Sequence, residues 1–304
     1  MVTISLFPRA VPGVSRLKGI LCLALLPVSF STAYAGSDQE AINRAMLAPR
    51  PGMASAATVT PRSQAQDAPE IYVIGNAASL LQPFAAGQLI TILGPGLGPT
   101  PGVGATFTNG FVTTSAGGTQ VTFDGIAAPI LYAGASQINT AIPCAVAGNA
   151  TTAVVVTYMG VPSTSVTIPL SAAAPGVFAL ANRAGQGAVL NQDYSVNGPS
   201  NPAAPGSTII AYGTGLGKTS PACDDGEIYN DNLSSLPMPV LSVTATVGNL
   251  NAVVQYAGQA PGFISGAEQI NIVVPANAPA GPAIPLTIAG GGISSQTGVT
   301  VAVQ

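Results

Sequence analysis

From residue 223 the sequence reads CDDGEIYNDN, which gathers the carboxylates of Asp224, Asp225, Glu227 and Asp231 and the amides of Asn230 and Asn232. Hard oxygen donors at this density are what calcium takes, about six to eight per ion. The spacing is not that of the twelve-residue helix–loop–helix site, and an acidic run also serves simply to solvate a loop. The expectation is a solvated loop, with calcium at Asp224, Asp225, Glu227 and Asp231 as the sharper alternative and no other cofactor.

Other chemistries are narrower still. The chain has no histidine, which removes Ser-His-Asp and Cys-His nucleophiles and imidazole-based zinc sites. A glycosidase needs only two carboxylates, and Glu268 and Glu227 are the best candidates for a carboxylate-dependent hydrolase. The acids are few, however, and Asp124 and Asp193 sit in turn contexts, so a non-enzymatic protein is the preferred reading. The stretches GPGLG (94–98) and GTGLG (213–217) have the glycine content of phosphate loops. They are followed by Pro99-Thr100-Pro101 and by Lys218-Thr219-Ser220-Pro221, neither of which opens a helix. They read as glycine turns joining strands.

The elements that must position these groups come in two copies. SQINTAIP (136–143) returns as EQINIVVP (268–275), AAGQLITILGPGLG (85–98) as APGSTIIAYGTGLG (204–217), and ILYAG (130–134) as VQYAG (254–258). A period above a hundred residues means duplicated domains rather than a solenoid. Within each copy apolar residues alternate with polar ones, as in LSVTATV (241–247) and GVTVAVQ (298–304), the period of half-buried antiparallel strands. Asp124-Gly125, Met159-Gly160 and Gly248-Asn249 suit tight hairpins. The predicted fold is all-β, two tandem immunoglobulin-like β-sandwiches at 70–180 and 181–304.

Upstream, Arg9, Arg16 and Lys18 precede the apolar run Gly19–Val28, and Ala33-Tyr34-Ala35 follows as a small-x-small cleavage site. This predicts a signal peptide over 1–35 and a secreted, extracellular or cell-envelope protein that is not membrane-spanning after cleavage. Residues 36–69, rich in Ala, Pro, Ser and Gln, read as a disordered tether, with a short helix started by Ser37 and Glu40 and ended before Pro49. From Glu70 onward two basic residues, Arg183 and Lys218, face eight acidic ones, a net charge of −6. That excludes nucleic acid and anionic membrane surfaces as partners. With only 6% charged residues and no tryptophan, the expected partner is a surface protein or a glycan, with self-association as a further expectation.

The QIN phrase places Gln137 and Asn139, and Gln269 and Asn271, on one strand face. They read as structural clamps that satisfy polar backbone groups. Counting strand passes brings Cys144 and Cys223 to the pole where the two copies meet, so a Cys144–Cys223 disulfide across the junction is expected.

The ordered set GNAAS, PFAAGQLITILGPGLG, VTFDGIAAPILYAG, QINTAIP, APGVF, GQGAVLNQDYSVN, NPAAPGSTIIAYGTGLG, QINIVVP and SSQTGVTVAV covers essentially 70–304. It resembles the uncharacterised secreted C-terminal domain family of Solibacter-type soil bacteria, built of IPT/TIG-like immunoglobulin-like units. The resemblance implies the tandem fold and an exported location and carries over no catalytic residue. The expected function is adhesion, protein binding or assembly at the cell surface, with a carbohydrate-binding accessory domain as the alternative.

Overall fold

The computed structural model describes residues 67–181, 183–229 and 236–304. The signal peptide, nearly all of the tether with its short helix, and Asp231 of the acidic run lie outside the described residues.

Each copy contributes seven principal strands in the same order. In the first unit these are β1 (Val73–Asn76), β2 (Leu89–Leu93), β3 (Thr119–Phe123), β4 (Ile130–Gly134), β5 (Gln137–Ala141), β6 (Thr151–Tyr158) and β7 (Val166–Pro169). In the second they are β8 (Gly176–Val177), β9 (Thr208–Thr214), β10 (Val243–Val247), β11 (Leu250–Gln259), β12 (Glu268–Val273), β13 (Gly281–Gly290) and β14 (Val299–Val303). The only helical element among the described residues is a single 3-10 turn at Cys144–Val146.

In the first unit β1-β2-β5-β4 form one sheet and β7-β6-β3 the other. The second unit repeats both, β8-β9-β12-β11 and β10-β13-β14, but as one continuous sheet. The reason is local. In the first unit Ile126–Ala127 pairs with β3, then Pro129 interrupts the strand before β4 turns to β5. In the second no proline intervenes, and β11 pairs with β10 through its first three residues and with β12 from Val253 onward. A bulge marks the change of partner in both, between Ile130 and Tyr132 and between Val254 and Tyr256. An extra residue in one strand bends it and increases its twist, which is how a strand turns a sandwich corner.

The hairpin turns form where the dipeptides place them. Asp124 and Gly125 have φ of 50° and 82°, Met159 and Gly160 of 49° and 83°, and Gly248 and Asn249 of 62° and 64°. Positive φ at both central residues matches the right-handed twist of the flanking strands.

Each unit has its own core. Phe84, Ile90, Ile92, Phe123, Ile130, Ile138 and Val154 anchor the first, and Ile209, Ile270, Ile272, Leu286, Ile288 and Val301 anchor the second. Val177 already belongs to the second core. A third cluster draws from both units, with Leu89, Val112 and Ala141 packed among Phe178, Leu190, Ile210, Tyr212, Phe263 and Ile264.

That third cluster changes one expectation. Strands with one wet face were predicted throughout, yet Leu89 and Thr91 on the outer face of β2 are buried, as are Ile210 and Tyr212 on the outer face of β9. Residues of the two units cover Leu89, Ile210 and Tyr212 for one another. The strands are also not wholly antiparallel, because Ala184–Gly187 adds to β14 in parallel.

Candidate functional site

The chemistry-bearing residues converge on the seam between the two units. Cys144, just after β5, and Cys223, after β9, are joined in a disulfide with a Cα–Cα distance of 6.2 Å. Gly87 lies against both sulfurs at a φ of 77°, where a side chain would be strained and would touch them.

The acidic run forms a strap across the seam. On one side the Val112 N–H donates to the Gly226 carbonyl at 2.8 Å and the Ile228 N–H to the Gly110 carbonyl at 2.9 Å. On the other, the Ser265 N–H donates to the Glu227 carbonyl at 2.8 Å and the Tyr229 N–H to the Phe263 carbonyl at 3.1 Å. Residues 224–229 thus lie as an extra strand between the Phe107–Val112 hairpin of the first unit and the 259–266 insertion of the second. Phe263 packs against Tyr212, their ring centroids 5.5 Å apart. Burial pushes the Tyr229 phenol up to about 12.

Among the acids of the strap, Asp225 is half-buried and accepts the backbone N–H of Cys144 at 2.7 Å. Its carboxyl titrates above the ordinary aspartate value, chiefly because burial disfavours its charge, although the Cys144 N–H opposes the shift. Asp224 is exposed and Glu227 half-buried. Among the described residues, the ligand-type atoms that lie within 4.8 Å of one another are the two cysteine sulfurs and a carboxylate oxygen of Asp225. Of the acids expected to converge on calcium, Asp224, Asp225 and Glu227 lie along the strap, and the Asp225 carboxylate is directed to a backbone donor.

Glu268 begins β12 on its core face, opposite Gly213 of β9 and Gln259 of β11. It is 6% exposed, and both its oxygens accept the Leu216 N–H at 3.0 Å. Burial pushes its carboxyl up to about 8 against that single donor. In the first unit Ser136 takes the place of Glu268, and the equivalent leucine, Leu97, donates its N–H to the Ala135 carbonyl at 3.1 Å. Nearby, the Thr214 hydroxyl donates to the Gly266 carbonyl and accepts the Leu89 N–H of the first unit.

The glycine turns hold Leu97 and Leu216 as fully buried plugs. Gly215 and Gly217 have φ of 91° and 90°, and a Cβ on either would run into the carbonyl oxygen of Ala174 or Ala172. Backbone packing therefore explains these glycines.

The QIN amides bond along their own strand. Gln137 Nε2 donates to Asn139 Oδ1 at 2.9 Å, and Gln269 Nε2 to Asn271 Oδ1 at 2.9 Å. Asn139 also accepts the Thr91 hydroxyl at 3.2 Å. Beside each pair stands a tyrosine, Tyr132 or Tyr256, whose hydroxyl lies over the glycine two residues on, Gly134 or Gly258.

Further repeated contacts were not read from the sequence. Ser163 and Ser295, 132 positions apart like the QIN phrases, each accept a strand N–H on the hydroxyl, from Val156 and Ile288. Each also donates its own N–H to the same residue's carbonyl. The shared offset was the signal available. The Gln296 amide donates to the Val177 carbonyl and accepts its N–H, closing β8 onto the second unit.

One property spans both units. Among the fourteen numbered strands, Glu268 is the only charged residue, and it is buried. The outward positions include Gln120, Thr122, Val155, Thr157 and Thr167 in the first unit and Thr244, Thr246, Asn251, Val253, Gln255 and Ala283 in the second.

No family model and no curated protein match the chain. Among solved structures, the plexin A4 full extracellular region, domains 1 to 8, is 11% identical over 78% of this chain, with a TM-score of 0.26. This chain spans only 18% of that one. The I9–I11 tandem from titin is 11% identical, covering 77% of this chain and 65% of that one, at a TM-score of 0.21. Domains 5–6 of the S-layer protein SbsC are 15% identical, covering 77% and 98%, at 0.22. At such scores these likenesses carry no argument, and the all-β assignment rests on the strand pairing. No helix among the described residues is long and apolar enough to cross a membrane.

Proposed function

We propose that the chain is an exported, non-enzymatic pair of immunoglobulin-like sandwiches, the second beginning at β8, that binds a protein partner at the cell surface. The observation that carries this reading is the distribution of charge. The strands turn uncharged threonine, valine, alanine and amide side chains toward solvent, while acids such as Asp124, Asp193 and Asp225 are engaged by backbone N–H groups in turns and in the strap. A neutral β-surface favours contact by shape and apolar area over charge steering. The disulfide and the strap support the same reading, because units held in one arrangement lose less freedom on binding.

Binding of the purified, disulfide-bonded protein to isolated cell envelope, before and after separate protease and glycosidase treatment, tests this. Saturable binding that protease abolishes is expected. Binding that survives protease and falls with glycosidase would instead indicate a carbohydrate-binding module, and no saturable binding would overturn both.

A further inference from the structure

The disulfide across the seam has an acid as its immediate neighbour. An Asp225 carboxylate oxygen and the sulfurs of Cys144 and Cys223 lie within 4.8 Å of one another. All three residues are half-buried, so solvent and small reagents reach them, but screening is incomplete. Asp224, next in the chain, adds charge of the same sign. The Cys144 N–H fixes the carboxylate in place at 2.7 Å, so its position does not depend on a mobile side chain.

We propose that Asp225 is an electrostatic guard of the Cys144–Cys223 bond, protecting it from reduction by anionic thiolates. Reduction begins when a thiolate sulfur attacks one cysteine sulfur. The S–S bond breaks, a mixed disulfide forms, and the electron pair leaves on the other cysteine, which solvent then protonates. A second thiolate releases the mixed disulfide as the oxidised reagent and leaves two cysteine thiols. The carboxylate opposes this sequence twice. It repels the incoming anion, and it destabilises the thiolate that must leave, because a like charge disfavours the ionised form. Two unit charges about 5 Å apart at a partly solvated site alter such a rate by roughly fivefold or more.

The test compares reduction rates of the intact protein by two small thiols of opposite substituent charge, cysteamine and mercaptoethanesulfonate, each expressed per thiolate at low ionic strength. The cysteamine-to-mercaptoethanesulfonate rate ratio is expected to fall about fivefold in Asp225→Asn. If both reagents instead speed up equally, Asp225 does not discriminate the charge of the incoming thiolate and the guard proposal fails. An unchanged pair of rates also overturns it. Should the variant not form the bond, a salt series on the natural protein decides. The ratio must shrink between about 0.01 and 0.15 M salt, as the screening length falls from roughly 30 to 8 Å, and a salt-insensitive ratio overturns the proposal.

Discussion

Glu268 presents both carboxylate oxygens to one backbone N–H, that of Leu216, at 3.0 Å, from a position inside the second core. Its folded-state value of about 8 lies above the ordinary 4.5. The folded state therefore holds a proton that the unfolded chain gives up between these values. Stability from this group is complete below about pH 4.5 and is lost as pH rises toward 8. The loss is on the order of 4 kcal/mol. Urea unfolding at pH 5, 6.5 and 8 should show the decline, and Glu268→Gln should flatten it. Parallel profiles for the two proteins would refute the assignment.

Leu97 and Leu216 occupy equivalent places above the two cores, both essentially inaccessible to solvent. Truncating either to alanine should cost about 2–5 kcal/mol through lost burial and the cavity left behind. Equal losses from Leu97→Ala and Leu216→Ala in denaturant titrations would match the duplicated packing. A cost below about 0.5 kcal/mol at either site would contradict the burial described.

Gly217→Ala should destabilise by more than a propensity change alone, because its φ of 90° and the Ala172 carbonyl both oppose a Cβ. A loss of roughly 1–3 kcal/mol is expected, read as a lower thermal midpoint. Gly125→Ala, also at positive φ but with open space around the added carbon, separates the two causes and should cost less.

The disulfide joins cysteines 79 residues apart. Closing a loop of that size restricts the unfolded chain by roughly 4 kcal/mol. Paired Cys144→Ser and Cys223→Ser substitutions should lower the denaturant midpoint accordingly while leaving the far-ultraviolet β-signature in place. An unchanged midpoint would mean that strain in the folded state offsets the gain.

The duplication and the hairpins were legible because they are written in residue identity. QIN recurs as letters, and Asp124-Gly125 is a turn by its own conformational preferences. The strap was not legible. Asp224–Tyr229 is held by backbone groups of Gly110, Val112 and Phe263, and such pairing leaves no mark on side-chain type. Its acidity suggested a loop in water, whereas its main chain behaves as a strand between two units. The covered faces of β2 and β9 escaped for a related reason. Tyr212 looks like a solvent-facing position until residues of the first unit pack into the same cluster and bury it. Glu268 was singled out as an acid, but its backbone donor, the Leu216 N–H, lies 52 positions earlier in the chain.

The clasp at Cys144 and Cys223 also decides how the molecule would transmit a pull. Tension entering near β1 and leaving near β14 would pass from residue 144 directly to residue 223 through sulfur. The covalent path bypasses strands β6, β7, β8 and β9 and the connector 170–175 between the units, so none of them could be drawn out into extended chain while the bond is closed.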